Sequence, residues 1–141
     1  MKLVVTTPTE IAVDEDSVGY VRAEDSSGAF GIEPRHADLL TTLAICVVRW
    51  RTRRNTERYV AVRGGVLRVR GGKAVEIATR EAVVGDDLAR LRGEVLAAMT
   101  QDVVAEQAAR AGTLRLEHAA IRQIQRYLRP ADRPIKTKPQ E

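Results

Sequence analysis

A disulfide framework is excluded at the outset, because the chain has one cysteine, Cys46. It sits among Ala44, Ile45, Val47 and Val48, a setting for a small buried hydrophobe rather than a nucleophile. Histidine is almost as scarce. With only His36 and His118 available, no Ser-His-Asp or Cys-His constellation and no metal-ligand spacing can be assembled. The carboxylate pairs Asp14/Asp16 and Asp86/Asp87 read better as a turn and a helix start than as acid/base catalysts. The expectation is a protein that is not an enzyme by itself, with no cofactor and no metal. Aromatic residues make up 4% of the chain, and no basic stretch is interleaved with them as a base-stacking platform requires, which argues against nucleic acid. No run approaches the ~18 consecutive apolar residues of a membrane span. Residues 1–6 are too short and too strand-like for a signal peptide, so the expected location is cytoplasmic, without direct membrane insertion.

What the chain does contain is ordinary in amount and informative in order. Its 141 residues are 44% hydrophobic and 30% charged, enough for one domain or two small ones. The formal charge of +4 permits an acidic partner or surface without choosing one. From Leu3 to about Arg80, short apolar runs alternate with turn signals, as in an antiparallel sandwich or barrel. The alternation is clearest in Val48-Arg49-Trp50-Arg51-Thr52-Arg53, which puts Val48 and Trp50 inside and the arginines on a solvated face. Arg54 to Glu57 is the predicted hairpin turn, with Val60 and Val62 facing inward on the return strand. Gly64-Gly65 predicts a bulge or kink. Gly71-Gly72-Lys73 predicts a tight turn and not a phosphate cradle, since no Gly-Lys-Ser/Thr follows and no helix begins there.

The pattern changes at Gly85. Asp86 or Asp87 suits a helix cap, and Leu88, Leu91, Val95, Met99 and Val103 form one helical stripe. Ala111-Gly112-Thr113 predicts an interruption, with Gly112 ending one helix and Thr113 capping the next. Leu114, Ile121, Ile124 and Leu128 supply a second stripe, and Arg115, Arg122, Arg126 and Arg129 stand against Glu117 alone. The expected architecture is therefore mainly β plus α: an N-terminal antiparallel β-sandwich at 1–84, an antiparallel two-helix hairpin at 85–128, and a disordered tail at 129–141.

One stretch concentrates the special backbone residues: Gly28-Ala29-Phe30-Gly31-Ile32-Glu33-Pro34-Arg35-His36-Ala37-Asp38-Leu39-Leu40-Thr41. On composition it is a Gly/Pro turn whose His36 is satisfied by a nearby carbonyl. In its order, Gly-x-Phe-Gly-Ile-x-Pro-x-His-Ala-x-Leu-Leu-Thr resembles the signature loop of the epsilon subunit of rotary ATP synthases. Arg35-His36 followed by Asp38, where most members carry a second proline, resembles the variant branch found in sodium-type (N-type) rotary ATPases. The Gly-Gly strand at 60–69 and the sheet-to-helix junction at 81–88 are similar to two further landmarks of that family, so the likeness covers roughly residues 1 to 128.

The resemblance implies a non-catalytic central-stalk subunit, peripheral on the inner face of the cell membrane. Its implied partners are the gamma shaft, the membrane c-ring and, through the C-terminal helices, the catalytic alpha/beta head, whose ATP hydrolysis those helices restrain. A ring and shaft interface would then include Phe30, Glu33, Arg35, His36 and Asp38, and a regulatory helix surface Arg92, Arg115, Arg122 and Arg126. The chain departs from the family at its nucleotide motif, Ile/Leu-Asp-x-x-Arg-Ala: the matching run is Leu88-Ala89-Arg90-Leu91-Arg92-Gly93, which implies weak or absent ATP binding. It also has Ile45-Cys46 where many members bend at Pro-Gly. The competing reading is a free-standing basic regulatory or nucleic-acid-binding β-domain that uses the Arg49 to Arg58 hairpin as an electrostatic site.

Overall fold

The computed structural model describes residues 1–128, so the tail expected at 129–141 lies outside the described residues. Eight strands come first among the described residues: β1 (Lys2–Thr6), β2 (Ile11–Glu15), β3 (Val18–Asp25), β4 (Gly28–Ile32), β5 (Leu39–Thr52), β6 (Glu57–Arg70), β7 (Ala74–Ala78) and β8 (Ala82–Gly85). Their order is β2-β1-β7-β6-β5-β3-β4, with β8 also paired to β6. Only β1 and β7 run parallel; the other pairings are antiparallel.

The long β5–β6 hairpin organises the sandwich. Its register is unbroken from Leu39↔Val69 to Arg51↔Glu57. The residues facing inward nevertheless change from odd to even along both strands, from Leu43 to Cys46 on β5 and from Leu67 to Val62 on β6. Both strands therefore kink together at the predicted Gly64-Gly65 position. Both glycines have positive φ, and a Cβ on Gly65 would lie 2.0 Å from the Ala78 carbonyl oxygen. Beyond the kink β6 pairs with β7, and before it with β8, so one strand serves two sheet regions. Ile45-Cys46, lacking the Pro-Gly bend, lies within continuous β5.

Inside, Trp50, Val48, Val60 and Val62 are buried with Leu3, Val21, Ile32, Leu67 and Ile77, as alternation predicts. Burial of each large apolar side chain is worth about 1.5–3 kcal/mol. Cys46 is buried here too, and desolvation raises its thiol pKa, which disfavours the reactive thiolate. The arginines of β5 stand on the opposite face.

Asp87 caps the first helical turn, α1 (Leu88–Arg90), by accepting from the Arg90 N–H at 3.2 Å. A π-helical turn, Leu91–Val95, leads into α2 (Leu96–Leu128). Leu91 and Met99 are buried on Ala61, with Ile45, Val47, Tyr59 and Val83 around them. Leu91, Val95 and Met99 of the first predicted stripe thus pack on the outer face of β5, β6 and β8.

The two-helix hairpin is a correction. The C-terminal part of the fold is helical as expected, but α2 runs through Gly112 without a turn. Gly112 does not have positive φ, and the Thr113 hydroxyl donates to the Ala109 carbonyl at 3.0 Å, which removes it from cap duty. Alanine-rich flanks outweigh the ~1 kcal/mol that one internal glycine costs. The chain forms two compact units, Met1–Asp102 and a second starting at Val103.

Candidate functional site

The signature loop leaves β4 at buried Ile32 and turns at once. Pro34 sets the first central position of the turn, Arg35 takes φ 71°, and the His36 N–H donates to the Glu33 carbonyl at 3.1 Å. A proline followed by a positive-φ residue is the pattern of a type II turn. Arginine in that conformation carries roughly 1–2 kcal/mol of strain. A clasp holds it: Arg35 N–H donates to the Gly72 carbonyl at 2.9 Å, and the Asp38 carboxylate accepts from the Gly71 N–H at 2.8 Å. A Cβ on Gly72 would come within 2.5 Å of the Arg35 Cα, so only glycine lets the two turns approach this closely. The loop at 33–38 and the β6–β7 turn are in effect one rigid end of the sandwich.

The predicted interface residues divide by this geometry. Glu33 and Arg35 are exposed, whereas His36 is half-buried and its Nδ1 donates to the Ala37 carbonyl at 2.7 Å. The carbonyl partner expected of a simple turn histidine is thus present. Asp38 spends its carboxylate on the clasp. Phe30 lies on β4 opposite Ala23, half-buried and packed on the core, apart from the displayed loop residues. Nearby, Asp25 accepts from both the hydroxyl and the N–H of Ser27 and from Thr41, which holds its carboxyl below the usual range and ties the β3–β4 turn to β5.

Arg92 is exposed in the π-helical turn of the first unit. Arg115, Arg122 and Arg126 are exposed on α2 in the second, with Arg122 Nε donating to the His118 carbonyl at 3.4 Å. A shallow depression is lined by Ala119, Arg122, Gln123 and Arg126. Leu114, Ile121 and Ile124 of the second stripe are all more than half exposed. No group of His, Cys, Asp and Glu able to hold a metal occurs among the described residues, and no described helix is long and apolar enough to cross a membrane.

One surface escaped the sequence reading. On the outer face of β5, β6, β7 and β1, Leu40 is 72% and Val66 41% exposed, beside Val4 and Ala78. Leu40 stands opposite Arg68, and Val66 opposite Ala78, so they share one face of the sheet. A groove of about 490 Å³ runs between them. The available signal was Leu39-Leu40, two adjacent leucines of which a strand can turn only one inward.

Residues 1–85 match the family described as ATP synthase, Delta/Epsilon chain, beta-sandwich domain. The "ATP synthase epsilon chain 2" of Paraburkholderia xenovorans (strain LB400) is 44% identical over 131 residues, covering 93% of this chain and 94% of that one. The protein of the same name from Cereibacter sphaeroides is 44% identical, covering 91% and 88%. The "ATP synthase epsilon chain" of Carboxydothermus hydrogenoformans is 40% identical over 78 residues, 55% of this chain and 57% of that one. Two solved structures share the fold. A chain of the Euglena gracilis mitochondrial ATP synthase OSCP/F1/c-ring assembly has TM-score 0.56 at 22% identity, over 64% of this chain and 57% of that one. One from the Tetrahymena thermophila central stalk and c-ring has TM-score 0.53 at 17% identity, over 74% and 91%. Epsilon chains are non-catalytic subunits of ATP synthase, in line with the expectation that this is not an enzyme by itself. The matched sandwich, together with 44% identity along nine-tenths of the chain, decides the matter: the chain belongs to the ATP synthase epsilon-chain family.

Proposed function

We propose that this epsilon chain is a rotor subunit that ties the gamma shaft to the membrane c-ring, at the cytoplasmic face of the membrane. The observation that carries the reading is the clasp between the 33–38 loop and the Gly71-Gly72 turn, which presents Glu33, Arg35 and His36 on a stiff end of the sandwich. A coupling element has to transmit torque, and a loop locked to its neighbour does so better than a free one. Asp38 and Phe30 act behind this surface, Asp38 by holding the clasp and Phe30 by seating β4. The exposed Leu40 and Val66 face suits the shaft, since an apolar sheet face rimmed by Arg68 and Glu76 has the composition of a protein interface.

The two relatives that match along nearly the whole chain are both named "epsilon chain 2", whereas the plain epsilon chain from Carboxydothermus matches over 78 residues. That contrast supports the variant N-type branch suggested by Arg35-His36 and Asp38. The sandwich at 1–84 is the assembly domain in this reading. The segment at 85–128, with Arg92, Arg115, Arg122 and Arg126, restrains hydrolysis by contact with the alpha/beta head, and ATP does not hold it off because the motif at 88–93 lacks its aspartate.

The test is a reconstituted complex in sealed vesicles carrying Arg35→Ala with His36→Ala. ATP hydrolysis continues while ion pumping per ATP falls, and the isolated variant unfolds at nearly the same urea concentration as the parent chain. Normal pumping per ATP would remove the loop from the ring interface.

A further inference from the structure

On the outer face of β3 and β5, Arg22 stands directly opposite Arg49, and Tyr20 opposite Arg51. Side chains facing each other across an antiparallel pair have Cβ atoms about 4.5–5.5 Å apart, and like charges so placed oppose folding. Arg51 is compensated. Its Nη2 lies 3.1 Å from Glu57 Oε1 and its guanidinium 6.0 Å from the Tyr20 ring centroid. Arg22 has no carboxylate within ion-pairing distance among the described residues, although Glu24 shares its face two residues along β3. Arg49 makes no direct ion pair either, but it lies near enough to Glu57 to help Arg51 and Tyr59 hold that carboxyl below its usual range, so two arginines share one glutamate. The track continues over the β5–β6 turn, where Arg53 and Arg54 are likewise without an ion pair among the described residues. They line an open cleft of about 650 Å³ with the hydroxyls of Ser17, Thr52 and Thr56. Of the carboxylates on its rim, Glu15 is 3.7 Å from Arg58 and Glu57 is held by Arg51, which leaves Asp86.

A rigid sheet face that carries more arginine than carboxylate is one that a partner of opposite charge complements. We propose that the Arg22–Arg49 face and the adjoining Arg53-Arg54 turn form a docking surface for an acidic polypeptide segment. Arg49 and Leu40 lie toward opposite ends of β5, and Arg22 is paired with Gly31, two residues before the 33–38 loop. Peptide binding read on the isolated chain does not depend on the ring or shaft contacts. Polypeptide is favoured over single-stranded nucleic acid because neither tyrosine on this face offers a free ring. Tyr59 is half-buried against the Leu91–Met99 cluster and donates to Glu57, and Tyr20 lies over Gly31.

The experiment uses the full chain and a fluorescein-labelled decaglutamate peptide, read by anisotropy at low salt and at about 1 M salt, where the Debye length is about 3 Å. Binding is expected at low salt and lost at high salt. Arg22→Gln with Arg49→Gln should weaken it by about tenfold or more, equivalent to at least about 1.4 kcal/mol. Lys73→Gln with Arg110→Gln, which removes the same charge elsewhere, should weaken it much less. The Arg22 and Arg49 variants should also unfold at equal or higher urea concentration, because the opposed charges are gone; each single variant serves if the double one fails to fold. Equal losses in the two double variants would mean diffuse attraction to net charge and would overturn the proposal. So would the absence of peptide binding, or Arg22- and Arg49-dependent binding only to phosphatidylglycerol vesicles or to an oligothymidylate.

Discussion

Two stretches of the same helical segment obey the same sequence rule and meet different fates. In the first unit, the stripe containing Leu91 and Met99 is buried against Ala61 and its neighbours on the sheet. In the second, Leu114, Ile121 and Ile124 repeat at comparable spacing and stay exposed. Periodicity therefore establishes that a segment can present an apolar face, and says nothing about whether a surface exists to receive it. Where the receiving face is built from strands of the same chain, the stripe is part of the core. Where it is not, the stripe contributes little to the stability of the free chain and is left available to another molecule.

The sharpest way to break this contrast is to make the same kind of deletion in each unit. Trp50→Ala empties the centre of the sandwich and should destabilise it by about 3–5 kcal/mol, whereas Ile124→Ala should fall within about 0.5 kcal/mol of the parent. Urea denaturation followed by tryptophan-independent circular dichroism reads both. A large loss for Ile124→Ala would mean that the second stripe is packed in solution and that the contrast is false.

A somewhat smaller effect locates where the first unit ends. Met99 is buried, and Met99→Ala should cost about 2–5 kcal/mol although it lies well beyond the last strand. A chain cut after Val84 loses both Leu91 and Met99 and leaves Ala61, Val47 and Val83 uncovered. It should therefore melt lower than one cut after Asp102, which should keep nearly the full thermal stability of the sandwich. Equal melting temperatures for the two truncations would show that the Leu91–Met99 layer is dispensable.

Legibility in the sequence followed the range of the interactions involved. Trp50, Val48, Val60 and Val62 were readable because strand alternation is a local rule that the sandwich obeys, and a cap at Asp86 or Asp87 because capping is settled within three residues; the structure uses Asp87. The Gly64-Gly65 kink was readable because two adjacent glycines between strand residues have few other uses. The clasp was not. Asp38 reaches Gly71, 33 residues away, and the left-handed Arg35 depends on Gly72, so neither role has a local signature. The exposure of Leu40 and Val66 was hidden for a related reason, since an outward apolar residue in a strand looks the same as an inward one until the register is known. At Gly112 the local rule itself misled: glycine followed by threonine is a standard helix boundary, and here neither residue takes its boundary conformation.

That position gives the last and smallest test, one that separates a continuous helix from a hairpin by the sign of its effect. At Gly112 an added Cβ meets nothing within 4 Å, and φ is not positive. In a continuous α2, Gly112→Ala removes the backbone entropy penalty of an internal glycine without any clash, and should stabilise the helix by about 1 kcal/mol. In a helical hairpin the same glycine would occupy the left-handed position after the first helix, where alanine costs roughly 1 kcal/mol or more. Mean residue ellipticity at the helix minimum and its melting midpoint distinguish the two. A rise in both with Gly112→Ala is expected of the free chain. A fall would mean that the chain in solution spends its time turned at Gly112, with the second stripe covered, and the contrast between the two units would then belong to one of two conformations.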